Sequence, residues 1–338
     1  MFDDGLLDDQ DALRRADPLL RNLAEAGARV RREAVSAAEA LHGAVARLSE
    51  TPPRAVVAAG PDSRLLRAVL EPTCPVPFVA WPSPGLPGWA GALDLVVVLA
   101  PDGTDPATAA GVAEAVRRGC QLVVATPEDS LVGRHVPGRY STLLPTVTGD
   151  QLATATVVLD LLDRLDLGPD TDPEVVATAL DDVAVACGPF RDLATNPAKL
   201  LASGIAETSP LLWGGTVLAA RAARRVAESL RRATGRAALA ADAEHLLPVL
   251  AQATRSDVFA DPFADEVADL RPSLVLLDDG SLDQAVAETR ARLRAQADAS
   301  GVRVETVTSE ADGDVARYAA LLATGKFAAR YSEVGLTR

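Results

Sequence analysis

Three short stretches of this 338-residue chain combine residues able to hold an anion. "GPDSR" carries Gly60 and Ser63, "APDGTDPAT" carries Gly103 and Thr104, and "WGGTV" carries Gly214, Gly215 and Thr216. Each follows a short apolar run and leads into a helix-like pattern. At such a junction the first backbone N–H groups of the helix have no intrahelical acceptor, and a Ser or Thr hydroxyl adds another donor. A phosphate can be cradled there. The same residues are also ordinary material for turns and helix caps, so each loop alone fits either role. Charge acts in both directions: Asp62 and Asp102 oppose an anion, while Arg64 and Arg67 beside the first loop offset Asp62.

Other chemistries are poorly supplied. The chain has no G-x-G-x-x-G after a strand and no G-x-x-x-x-G-K-[ST], so a dinucleotide or nucleotide cofactor is not expected. His42, His135 and His245 form no pair at metal-ligand spacing, and Cys74, Cys120 and Cys187 are equally scattered. No G-x-S-x-G provides a nucleophile elbow. Neither a metal nor an organic cofactor is expected. Glu228 shares a helical face with Arg221, Arg224, Arg225, Arg231 and Arg232, a pattern that fits a solvated, ion-paired surface.

The elements that would position these loops follow from the apolar pattern. Apolar residues make up 48% of the chain and aromatics 4%, so aliphatic side chains and alanine must fill the core. From Pro18 to Leu48, apolar and alanine positions recur at helical spacing, weakened near Gly27, and Pro52-Pro53 stops the helix. Short runs then alternate with helical segments: 55–59, 76–80, 93–100 and 120–126. Runs apolar on both faces and separated by helices indicate a parallel sheet covered on both sides. "WPSPGLPGWAG" (81–91) reads as an irregular, partly exposed connection, and helices are expected over 151–165 and 173–186. A second strand–glycine–helix opening begins at "SPLLWGG", with a helix from Thr216 to about Arg232. A later strand (272–280), a helix from Leu282 to about Ala299, "GVRVETVTS" and a last helix from Asp312 to about Arg330 complete the pattern. The expected fold class is α/β, with doubly wound parallel-sheet domains.

The net charge of −14 disfavours nucleic-acid and anionic-membrane partners. The acidic start "MFDDGLLDDQD" lacks the features of a signal peptide, and no uncharged apolar run reaches membrane-span length. A cytoplasmic protein with reduced cysteines is the expectation.

One longer string, "TNPAKLLASGIAETSPLLWGGTVLAARAARR", resembles the sugar isomerase (SIS) fold proteins known as bifunctional phosphoglucose/phosphomannose isomerases. Asn196, Ala198, Lys199, Gly214, Ala220 and Arg221 reproduce the order of that family's N-x-A-K helix, glycine turn and A-R helix. The N-terminal "LLDDQDALRRAD" and C-terminal "DVARYAALLATGKFAARY" look like the actinobacterial TobH-type branch. The resemblance implies two SIS-like domains, a helical N-terminal segment and a homodimer. With the sequence pattern it gives a helical segment over 1–52, a first domain over 53–166, a helical connection over 167–195 and a second domain over 196–338.

It also implies a function: binding of hexose phosphates and aldose–ketose isomerisation among glucose 6-phosphate, mannose 6-phosphate and fructose 6-phosphate. In that mechanism a glutamate moves the proton between C1 and C2 and a histidine opens the ring. An ungapped count from Ala220-Arg221 places the glutamate at Ser229, beside Glu228, and the histidine at His245. Gly60 and Ser63, Gly103 and Thr104, and Gly214 to Thr216 are the expected phosphate contacts. This sequence departs from the family's loops, G-x-G-G-S and S-x-S-G-N-T, at both of the first two. The alternative expectation is a non-catalytic sugar-phosphate sensor or interaction protein that retains the fold.

Overall fold

The computed structural model describes residues 1–253 and 271–336. The chain divides into two compact units: one is Ala26–Thr178, the other Met1–Glu25 with Ala179–Arg338. In chain order the elements are α1 (Gln10–Ala24), α2 (Ala26–Ser49), β1 (Ala55–Ala59), α3 (Ser63–Leu70), β2 (Phe78–Trp81), β3 (Asp94–Leu99), α4 (Pro106–Arg117), β4 (Gln121–Thr126), β5 (Ser141–Pro145), α5 (Gln151–Asp163) and α6 (Pro173–Ala186). There follow α7 (Pro197–Gly204), β6 (Ser209–Gly214), α8 (Val217–Thr234), β7 (Leu239–Ala240), α9 (Ala243–Gln252), β8 (Pro272–Asp278), α10 (Gln284–Ala299), β9 (Val304–Thr308) and α11 (Asp314–Gly335).

The unit of residues 26–178 is built on five parallel strands in the order β2-β1-β3-β4-β5. Every residue of β1, β3 and β4 is buried, as expected for central strands covered by helices on both faces. The chain reverses its direction of winding between β1 and β3. In such sheets the crevice beyond the strand C-termini at this point is where ligands bind. The other unit repeats the plan with the order β7-β6-β8-β9, again parallel, and its reversal lies between β6 and β8. Its last helix, α11, is buried along most of its length.

The helical N-terminal segment is divided between the two units. Phe2 pairs with Leu336, Asp3 N donates to Gly335 O at 2.8 Å, and α1 starts at an Asp9 cap that accepts from Ala12 N at 2.8 Å. In α2, by contrast, Glu33 is buried and accepts from Val147 N and Thr148 N, while Arg29 pairs with Asp150 at 2.7 Å. Burying Glu33 is tolerable because its carboxylate is supplied with donors. The chain therefore parts at Glu25–Ala26, beside Gly27, where the helical spacing of the sequence weakens. Among the described residues no helix is long and apolar enough to cross a membrane.

Candidate functional site

At the C-terminal edge of the five-stranded sheet, the loops after β1 and β3 are neighbours because their strands are paired. Beside them lies a cavity of about 260 Å³ whose lining includes Gly60 and Pro61, the segment Pro82–Gly85, and Asp105, Thr108 and Gly111 of the α4 region. The proline- and glycine-rich connection after β2, expected to be merely irregular, thus forms one wall.

The two helix starts here differ. At α3 the N-cap residue is Asp62, but its carboxylate makes no capping bond and instead accepts from Gln151 Nε2 at the start of α5. The first turn of α3 contains no acid, and its Ser63 hydroxyl is buried with no hydrogen-bond partner among the described residues. An uncapped helix start with a buried, unmatched hydroxyl is an incomplete polar site, and an anion would complete it.

At α4 the corresponding position is already filled. Asp105 accepts from Thr108 N at 2.9 Å, Thr108 Oγ1 at 2.5 Å and Ala107 N at 3.3 Å. The Thr108 hydroxyl, then its amide, holds the Asp105 carboxyl below its ordinary pKa, with burial opposing and the Ala107 amide helping. An ionised carboxylate therefore stands where an external anion would bind this helix. Gly103 is buried beneath the same loop: its N–H is spent on Ala100 O at 2.9 Å, and its φ of +61° suits glycine. A Cβ there would overlap Ser130 and lie 2.7 Å from Thr126 Oγ1. Its glycine serves the turn, while Thr104 is exposed at the surface. Gly60 likewise spends its N–H on Trp81 O at 3.0 Å.

In the four-stranded unit, Gly214 lets the end of β6 pass directly under α8, since a Cβ would overlap the Ala219 backbone. Gly215 is packed by Val286. The Thr216 hydroxyl accepts from Ala219 N at 3.1 Å and donates to Asp279. Here too a carboxylate stands beside the helix start. Glu228, half-buried on α8, accepts from Arg225 Nη1 at 2.7 Å, and His245 is exposed in the first turn of α9. Sequence reasoning did not single out Asp105, Ser130 or Gln151. The D-P-A-T string after Gly103 was the available signal for Asp105, because an Asp before an N1 proline is a typical helix cap.

Residues 194–332 match the family described as the bacterial phospho-glucose isomerase C-terminal SIS domain. A search of curated proteins returns no match. Among solved structures, tagatose-6-phosphate ketose/aldose isomerase from Escherichia coli is similar at a TM-score of 0.65 and 14% identity, covering 94% of this chain and 92% of that one. The C-terminal domain of glucosamine-fructose-6-phosphate aminotransferase from Francisella tularensis gives 0.65 and 12%, with 93% and 95% covered. A glucose-6-phosphate isomerase like protein from Thermus thermophilus gives 0.50 and 17%, with 90% and 91% covered. At these identities the shared property is the fold: two SIS-like parallel-sheet domains with a helical N-terminal segment.

Proposed function

We propose that the chain is a cytoplasmic sugar-phosphate-binding protein on an SIS frame, with hexose 6-phosphates as its ligand class. The observation that carries this reading is the start of α3, uncapped, free of acid in its first turn, and holding the unmatched Ser63 hydroxyl. The phosphate sits there, and the adjoining cavity, large enough for a hexose, takes the sugar. Asp105 then meets sugar hydroxyls as an acceptor. A homodimer of the TobH type is part of the proposal and rests on the sequence resemblance.

The second reading is isomerisation, with Glu228 as the base and His245 as the ring-opening group. The Glu228 carboxylate is engaged by Arg225 at 2.7 Å and not turned toward a ligand, so weak or absent turnover is expected. The test is titration of the purified protein with fructose 6-phosphate and mannose 6-phosphate, against unphosphorylated fructose, with binding followed by calorimetry and turnover by NMR. Binding of the phosphates alone, reduced about tenfold in Ser63→Ala, is the expected result. Equal binding of fructose, or none up to about 10 mM of either phosphate, would sink the proposal. Turnover that falls about 10²–10⁴-fold in Glu228→Gln and is slowed by His245→Asn would instead establish the isomerase reading.

A further inference from the structure

A second cavity lies within the unit that contains α1 and α7–α11. Its volume is about 470 Å³, and its lining includes Asp8, Leu13, Asp17, Pro189, Phe190 and Asp192. Phe190 is 98% exposed, an extreme value for an aromatic side chain.

The reason lies beneath it. Lys199 is fully buried, and its ammonium donates to Asp8 Oδ1 at 2.8 Å, Pro189 O at 3.0 Å and Arg191 O at 2.7 Å. The carbonyls on both sides of Phe190 are therefore clamped to one cation, so the backbone curves around it and the ring is held outside. Asp8 is fixed as well, through Leu193 N at 3.1 Å. An exposed aromatic on a clamped backbone beside a cavity has the character of a binding hot spot, because the backbone needs no ordering when the ring is covered.

Charge selects the occupant. Asp8, Asp17 and Asp192 contribute three carboxylates to the lining, of which Asp8 is paired with Lys199 and Asp17 with Arg21, while its one arginine, Arg14, is paired with Asp11. Asp192 meets no cation among the described residues. A second copy lying over this face across a two-fold axis would set Asp192 near its own counterpart and bring it no cation. A guanidinium, by contrast, stacks on an aromatic face and pairs with carboxylates. We propose that this cavity is a docking site for an arginine-bearing, apolar-flanked segment of a partner protein, with Phe190 as the stacking platform and Asp192 as the ion-pair partner.

The test uses the full chain with selectively labelled phenylalanine and an N-acetylated, C-amidated Leu-Arg-Leu peptide, with Leu-Glu-Leu as the counterpart. The expected result is a titrating Phe190 ring signal with the arginine peptide only. Its affinity should fall about tenfold in Phe190→Ala and about threefold in Asp192→Asn, with unchanged thermal midpoints because both side chains are exposed. Equal binding of the two peptides, or unchanged affinity in Phe190→Ala, would overturn the proposal. So would free argininamide binding as tightly as the peptide, which would make the cavity a small-molecule site. Sedimentation showing self-association of the wild type that Phe190→Ala abolishes would identify a second copy as the occupant and overturn it equally.

Discussion

Asp105 and Ser63 sit at two neighbouring helix starts and prepare them for opposite partners. The carboxylate of Asp105 satisfies the amides of α4 from within, whereas α3 retains an unmatched hydroxyl. Replacing Asp105 by Ala removes the cap and should cost about 1 kcal/mol in denaturant unfolding. Because its folded pKa is depressed, the contribution of Asp105 is complete above its unfolded value and is lost as pH falls through the lower folded value. The destabilisation caused by Asp105→Ala should therefore shrink below about pH 4, when stability is measured across an acid series. A constant difference down to about pH 2 would contradict the assignment. Gly103→Ala combines a left-handed backbone with overlap on Ser130 and should cost roughly 2–4 kcal/mol, read as a lowered urea midpoint at constant slope. The loops themselves are legible in the sequence. The division of labour between them is not, because Asp62 is drawn away by Gln151, a residue 89 positions further along the chain.

The elements are legible wherever burial is two-sided. β1, β3, β4 and β6 are continuous apolar runs, and the sequence pattern marks them close to their observed bounds. β5 and β7 escape it. β5 is an edge strand that alternates between half-buried and buried residues, and β7 is two residues long, so neither leaves a run of apolar side chains. Apolar spacing also starts the first helix too late, at Pro18, because α1 begins at the Asp9 cap amid a run of acids. The Lys199 clamp helps attach this N-terminal element to its unit, beside the Phe2–Leu336 pairing and the buried Leu7 and Leu20. Removing Asp8 leaves a buried ammonium short of its counter-charge, whereas Lys199→Met removes the charge but abandons two carbonyls and Asp8. Asp8→Ala should destabilise by about 3 kcal/mol, at the low end for a broken buried pair because Asp8 itself is half exposed. Asp8→Asn should cost less, since its amide oxygen still accepts. The same variants should speed proteolytic trimming of residues 1–24, and unchanged trimming would show that α1 is held by those other contacts alone.

At the scale of the molecule, one doubly wound plan occurs twice in the chain, and the two sheet edges differ in how their helix starts are satisfied. In the four-stranded unit, Asp279 engages Thr216 at the start of α8 and Asp283 caps α10 through Ala285 N at 2.8 Å. In the five-stranded unit, α3 lacks the side-chain cap that Asp105 gives α4 and Asp150 gives α5. Fold similarity alone would assign an anion to either edge, but the start of α3, with no side-chain cap, no acid in its first turn and a buried Ser63 hydroxyl without a partner among the described residues, favours the five-stranded one. Hydrogen exchange of the full chain with fructose 6-phosphate should therefore show a polarised footprint. A ligand that binds only the closed state slows exchange by a factor of about one plus the ratio of its concentration to its dissociation constant. At a tenfold excess over that constant, the amides of residues 62–66 should slow about tenfold, with weaker protection across 83–86 in the cavity wall. The amides of 214–219 should be unaffected, because Thr216 and its neighbours already have their partner in Asp279. Protection confined to 214–219 would place the ligand in the other unit. Protection spread equally over both edges would mean that the carboxylates at Asp279 and Asp283 move aside on binding, and the preference for α3 would then fail.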